Sequence, residues 1–117
     1  MREVRLWLPV VLLAGVIFAL SSVPDLGTGL GTWDLVLRKI AHVAEYALLG
    51  ALLLRALGRP HVLTAVALGV AYAVSDEIHQ SFVEGRRGSP VDVLIDAVGV
   101  ALGVAAWRRW APARWGR

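Results

Sequence analysis

Long apolar runs, separated by short polar or glycine-rich segments, give this chain its pattern. The runs cover about residues 6–23, 34–57, 62–83 and 90–110. A helix needs about 20 mainly apolar residues to cross the hydrocarbon core of a bilayer. Because each run has roughly that length, the pattern predicts an all-α membrane protein. Its short connections predict a four-transmembrane-helix bundle with up-down-up-down topology.

The first run has a second interpretation. Arg2 and Arg5 precede a rather short apolar stretch, which is also how a cleaved signal peptide begins. The run is long for a signal core, however, and the sequence FALSSVPD offers a poor small-x-small cleavage site. A membrane span is therefore favoured, and residues 1–117 are expected to form a single transmembrane domain.

Composition supports a membrane protein and excludes some other classes. Hydrophobic residues make up 57% of the chain and charged residues 18%, and cysteine is absent. A soluble domain is usually richer in charge. The basic residues lie at the ends of the apolar runs instead of spreading over one face, so no nucleic-acid partner is expected. Without cysteine, disulfide and thiolate chemistry are excluded.

The basic residues also predict an orientation. One side carries Arg2, Arg5, Arg55, Arg59, Arg108, Arg109, Arg114 and Arg117, whereas the other carries Arg38, Lys39, Arg86 and Arg87. The side richer in lysine and arginine is usually cytoplasmic. We therefore expect a multi-pass protein of the cytoplasmic (inner) membrane with both termini in the cytoplasm, so that the polar segment 75–96 belongs to the external half.

Polar residues of the last three predicted helices fall at one depth. His42, Asp76 and Asp96 each lie on the order of 10 Å below the outer interface at 1.5 Å per residue. A charge at membrane depth costs at least a few kcal/mol unless it is paired or faces a polar cleft. The residues expected to line such a cleft are Lys39, His42, Tyr46, Asp76, Glu77, Gln80, Arg86, Ser89, Asp92 and Asp96. The simpler alternative is that hydrogen bonds among them only hold helices together.

Gly99 and Gly103 form a GxxxG pattern on the same face of the fourth helix as Asp92 and Asp96. Small residues at this spacing let another helix backbone come close. The partner is either a helix of the same bundle, packed inward beneath the polar residues, or a second copy of the chain in a homo-oligomer.

Two segments carry a resemblance to a known family. RKIAHVAEYALLG (38–50) and SDEIHQSFVEGRRGSPVDVLIDAVGVALG (75–103) resemble the VanZ-like family of small bacterial membrane proteins, and the likeness spans nearly the whole chain. Lys39, His42, Tyr46, Asp76, Glu77, Gln80, Arg86, Ser89, Asp92 and Gly99 match its motifs. Arg38 stands where the family commonly has aspartate, and Asp96 where it commonly has asparagine. The resemblance implies a link to glycopeptide resistance, particularly toward teicoplanin, but supplies no reaction.

The chemistry of these residue types suggests a headgroup site. Lys39, Arg86 and the helix N-terminus at Ser89 suit an anionic phosphate, as in a membrane lipid or a lipid-linked envelope precursor. Tyr46, Gln80 and Asp96 complete the candidate ligand-binding set. The candidate catalytic residues are His42, Asp76, Glu77 and Asp92, because histidine changes its charge near neutral pH and carboxylates can accept or donate protons.

Other functions remain open at this level. Asp76, Glu77, Asp92 and Asp96 provide oxygen ligands for a divalent cation, although His42-x-x-Glu45 is not the H-E-x-x-H zinc motif. A non-enzymatic lipid-binding or proton-coupled transport or flipping element would also place acids and histidine within spans. A small accessory membrane subunit is the third alternative.

Overall fold

A computed structural model of the protein describes residues 2–22, 32–82 and 90–117. The long helices are α1 (Arg2–Ser21), α2 (Thr32–Leu57), α3 (Val62–Ser81) and α4 (Pro90–Trp110). Short 3-10 turns cover Arg59–His61 and Ala113–Trp115, and the described ranges contain no strand. Each of the four helices is long and apolar enough to cross a membrane. The predicted all-α, four-helix membrane fold is confirmed.

The helix ends differ from the apolar runs by a few residues. α1 begins at Arg2 and α2 at Thr32, so each starts before the predicted span. α3 ends at Ser81, and the residues that follow the turn at Phe82 lie outside the described ranges. Arginine and glutamate are good helix formers, which lets α1 begin among polar residues that hydropathy assigns to the headgroup layer.

α1 is an integral part of the bundle. Its Leu6, Val10 and Ile17 are buried in the common hydrophobic core. The hydroxyl of Tyr72 on α3 donates a hydrogen bond to the backbone carbonyl of Ala14. α1 therefore packs on its neighbours through one face and leaves its other face to lipid.

α2 and α4 make the most extensive helix–helix contact. At Gly99, a Cβ atom would lie 2.8 Å from the carbonyl oxygen of Val43, and at Gly103 it would overlap the backbone of Ala47. Only glycine permits such backbone contact. Residue numbers rise together along the two contacts, so α2 and α4 run parallel, as alternate helices of an up-down-up-down bundle must.

Val100 lies at the meeting point of three helices and is fully buried. A Cβ atom at Gly50 of α2 would overlap its backbone, and one at Gly69 of α3 would lie 2.5 Å from its Cγ1. Glycines on three helices thus create the close packing around α4. The stripe of Gly99 and Gly103 packs against α2 of the same chain, and a homo-oligomer through this stripe stays a prediction.

The basic end of the bundle joins the N-terminus of α1 to the ends of α2 and α4. Gly58 has φ of 105°, a conformation that favours glycine, and it turns the chain from α2 toward α3. Arg59 then donates hydrogen bonds to the carbonyl oxygens of Arg108 and Ala111 at the end of α4. The turn is therefore tied directly to the neighbouring helix end.

The C-terminal segment folds back over this end. Arg55 Nε donates to the carbonyl of Trp115 at 2.8 Å, and Arg117 Nε donates to the carbonyl of Ala56 at 2.8 Å. Arg117 also forms an ion pair with Glu3 of α1. These bonds hold the basic ends of α1 and α2 beside each other.

We expect Gly103→Ala to destabilise the bundle, because the added methyl group overlaps the backbone of Ala47 and forces α2 and α4 apart. Overpacking of this kind costs about 1–3 kcal/mol of unfolding free energy. The matched control is Gly15→Ala on α1, where a Cβ atom meets nothing within 4 Å. That variant gains helix propensity, up to about 1 kcal/mol.

Unfolding of both variants in detergent micelles, followed by circular dichroism during denaturant titration, tests this contrast. A Gly103→Ala protein as stable as the Gly15→Ala protein would show that α2 and α4 are not in backbone contact.

Candidate functional site

A cluster of polar side chains occupies the half of the bundle remote from the basic end, and we call it the polar cluster. Its members are Ser21, Lys39, His42, Tyr46, Asp76, Glu77, Gln80, Asp92 and Asp96. Eight of these residues were predicted from α2, α3 and α4, and the structure brings them together. Ser21 adds α1, which the sequence did not indicate. Arg86 and Ser89 lie outside the described residues.

Asp76 lies at the buried centre of the cluster, with only 3% of its surface exposed. Its Oδ2 atom accepts hydrogen bonds from the Tyr46 hydroxyl at 3.1 Å and from Gln80 Nε2 at 3.3 Å. Gln80 Nε2 also donates to Ser21 Oγ at 3.3 Å. Oδ1 of Asp76 is buried and has no hydrogen-bond partner among the described residues. Since buried acceptors are normally bonded, this oxygen is the natural contact for a donor on a ligand.

His42 and Asp96 form a second pair, between α2 and α4. His42 Nδ1 lies 3.2 Å from Asp96 Oδ1, and the Asp96 side chain is almost fully buried. A carboxylate on one ring nitrogen fixes the orientation of an imidazole and leaves Nε2 for other partners. His42 precedes Val43, which contacts Gly99, so the glycine contact sets the geometry of this pair.

Lys39 and Asp92 form an ion pair nearer the N-terminal ends of the same two helices. Their side chains are 39% and 24% exposed. A partly exposed pair of this kind contributes about 1 kcal/mol or less to stability. An ammonium group has three donors, so Lys39 can keep its bond to Asp92 and still donate to a second anion.

The cluster is rich in acid. Glu77 is partly exposed on α3 and within electrostatic range of Asp76, Asp92, Asp96 and His42. Four carboxyl groups therefore share this volume with one lysine and one histidine. Such a site favours a ligand that brings positive charge or hydrogen-bond donors.

A cavity of about 140 Å³ lies beside the cluster, between α1 and α2. Its lining residues are Leu20, Ser21, Arg38, Ala41, His42 and Glu45. Ser21 and His42 belong to both the cavity and the polar cluster, so the cavity is continuous with the buried polar groups. Arg38 and Glu45 were not among the residues expected to line the cleft, whereas both line this cavity.

Ser21 was missed because α1 carries no charge at that end. The feature that could have indicated Ser21 is the pair of hydroxyl residues, Ser21 and Ser22, at the C-terminal end of an otherwise apolar segment. Ser22 Oγ lies 2.9 Å from His79 Nε2, and Phe18 stacks on the His79 ring with centroids 4.2 Å apart. His79 therefore joins α3 to α1 at the edge of the cluster.

Within the described residues, no three histidine, aspartate or glutamate side chains form a group that could hold a metal ion. The structure therefore gives no support to the cation set of Asp76, Glu77, Asp92 and Asp96. The oxygen atoms of Asp76, Asp92 and Asp96 contact histidine, lysine, tyrosine and glutamine groups instead.

The model of the family described as VanZ/LLP1 matches residues 5–111, a range that includes most of α1 and all of α2, α3 and α4. The chain belongs to the VanZ/LLP1 family. No curated protein and no solved structure matches it. The polar cluster of this VanZ/LLP1 protein lies wholly within the matched range.

For this VanZ/LLP1 protein we expect Tyr46→Phe to lower the unfolding free energy by about 2 kcal/mol, since it removes a buried hydrogen bond to a carboxylate. Tyr72→Phe is the matched control, because Tyr72 donates to the neutral carbonyl of Ala14. Its loss should be about 1 kcal/mol or less.

Denaturant titrations of both variants, and of Tyr46→Phe in an Asp76→Asn background, measure these losses. The Tyr46 effect should shrink when Asp76 is replaced. Equal effects in the two backgrounds would mean that Tyr46 does not act through Asp76.

Proposed function

We propose that this VanZ/LLP1 protein binds the polar headgroup of a membrane lipid or a lipid-linked envelope precursor within the bundle. The observation that carries the proposal is the continuity between the cavity and the buried polar cluster through Ser21 and His42. A cluster that only held helices together would need no cavity reaching its members.

The cavity suits a headgroup better than an acyl chain. Its volume of about 140 Å³ is a few times the roughly 30 Å³ that one water occupies in the liquid. Arg38 and Glu45 at its wall present opposite charges. A headgroup that combines phosphate with hydroxyl or amine groups complements these charges, and its donors complement Oδ1 of Asp76.

The basic groups near the N-terminal ends of α2 and α4 are proposed to bind the phosphate of the headgroup. Lys39 retains donors beyond its bond to Asp92. Arg86 and Ser89, which lie outside the described residues, and the N-terminus of α4 are the further groups that the sequence predicts for the anion. With both termini in the cytoplasm, this site faces the outer leaflet, which is where a role in glycopeptide or teicoplanin resistance, or in envelope homeostasis, requires it.

We further propose that the protein acts on the bound headgroup as an enzyme. His42 is held by Asp96 through Nδ1, in the manner of a general base oriented by a carboxylate. Its Nε2 atom is then available for a proton shared with a hydroxyl of the ligand, and Asp76, Glu77 and Asp92 are the other candidate catalytic residues.

We expect His42→Gln and Asp76→Asn to reduce headgroup binding by about tenfold or more, the effect of losing one hydrogen bond to a charged group. Native mass spectrometry of the purified protein, titrated with phosphatidylethanolamine, phosphatidylglycerol and polyprenyl phosphate, measures this binding. His61→Gln is the matched control, because His61 is exposed at the opposite end.

Each variant must first show a melting temperature close to that of the wild-type protein, so that a loss of binding does not reflect a loss of structure. Binding of all three lipids by His42→Gln and Asp76→Asn at the level of His61→Gln would refute the headgroup site.

A proton-coupled transport or flipping element is the second candidate. Buried Asp76 and the His42–Asp96 pair favour it, because acids and histidines within membrane spans serve as proton relays.

Proteoliposomes with an imposed pH gradient separate the two candidates. Under the transport hypothesis the wild-type protein speeds decay of the gradient and Asp76→Asn abolishes this effect, whereas a binding site alone leaves the gradient equal to that of protein-free vesicles.

A further inference from the structure

A second, larger concavity lies between α3 and α4 in the basic half of the bundle. It is an open groove of about 870 Å³. Its lining residues are Val62, Val66, Ala101, Leu102, Val104, Ala105, Ala106, Arg108, Arg109 and Trp110. The groove shares no residue with the polar cluster or with the cavity beside it.

The groove is amphipathic along its length. Its walls are aliphatic side chains of α3 and α4, and its end carries Arg108, Arg109 and Trp110. All three of these side chains are exposed, and Trp110 is 75% exposed. Among the described residues, neither Arg108 nor Arg109 is paired with a carboxylate. The groove thus has apolar walls and a positively charged end, with a tryptophan of the kind found at membrane–water interfaces.

We propose that this groove binds an anionic phospholipid of the leaflet at the basic end. One acyl chain lies against Val62, Val66 and Leu102, and the phosphate contacts the guanidinium groups of Arg108 and Arg109. Basic pockets between transmembrane helices bind anionic lipid headgroups, and tryptophan is enriched at the level of the headgroups.

Charge and environment select this occupant. A groove on the outside of α3 and α4 faces hydrocarbon along most of its length, so an acyl chain fills it without exposing polar groups. A second copy of the chain would fill the apolar part, but Glu3, the one carboxylate side chain at the basic end among the described residues, is already paired with Arg117. A volume of about 870 Å³ falls within the range of specific ligand sites.

Native mass spectrometry with chain-matched phosphatidylglycerol and phosphatidylcholine tests the proposal. The wild-type protein should bind phosphatidylglycerol about tenfold more tightly than phosphatidylcholine, since each basic residue near a headgroup favours an anionic lipid. The double variant Arg108→Gln/Arg109→Gln should bind phosphatidylglycerol no more tightly than it binds phosphatidylcholine. The matched control is Arg2→Gln/Arg114→Gln, which removes the same charge from the same end but lies outside the groove.

A second pair of variants tests the apolar part without changing charge. Ala105→Trp fills the groove and should lower the affinity for both lipids severalfold. Ala67→Trp, at an exposed position of α3 outside the groove, should leave both unchanged.

Three results would overturn the proposal: equal affinity of the wild type for the two lipids, equal loss in the two arginine double variants, or unchanged lipid binding in Ala105→Trp. The second result would assign the preference to the general charge of this end. Dimers that disappear in Ala105→Trp while lipid binding persists would assign the groove to a second copy of the chain.

Discussion

The backbone contact between α2 and α4 is the constraint on which the rest of the structure depends. Gly99 and Gly103 bring α4 against Val43 and Ala47 and fix how far one helix slides along the other. The same register places His42 beside Asp96, and Lys39 beside Asp92 one turn further out. Because the two helices run parallel, the polar pairs and the glycine contacts follow one another in the same order along both helices. A side chain in place of either glycine would therefore disturb the polar pairs as well as the packing.

The buried carboxyl groups explain why the polar cluster extends over four helices. Hydrocarbon offers no hydrogen bonds, so Asp76 and Asp96 must find their partners within the protein. Tyr46, Gln80 and His42 supply them. Oδ1 of Asp76 still lacks a partner among the described residues. An unbonded buried acceptor lowers stability, so Asp76 is the least satisfied carboxyl group among the described members of the cluster.

The helices could be predicted because bilayer thickness fixes the length of a span, and the faces of α2, α3 and α4 followed from helical periodicity. Periodicity assigns a residue to a side of its own helix, but it does not identify the neighbour on that side. Arg38 and Glu45 were therefore not assigned to a cavity, and Ser21 was not assigned to the cluster. The GxxxG pattern likewise indicated close contact without choosing between α2 and another copy. Ser21 carries no charge, and only the position of α1 makes its hydroxyl significant.

The arginines at the end of α2 and in the turn after it combine positive charge with cohesion between helix ends. Arg55 and Arg59 donate to carbonyl oxygens of Arg5, Trp115, Arg108 and Ala111. These acceptors are neutral, so the guanidinium groups retain their full charge while they join the helix ends. Carboxylate partners would have given similar cohesion but cancelled that charge. The same side chains therefore keep this end of the bundle positive and hold the assembled helix ends together.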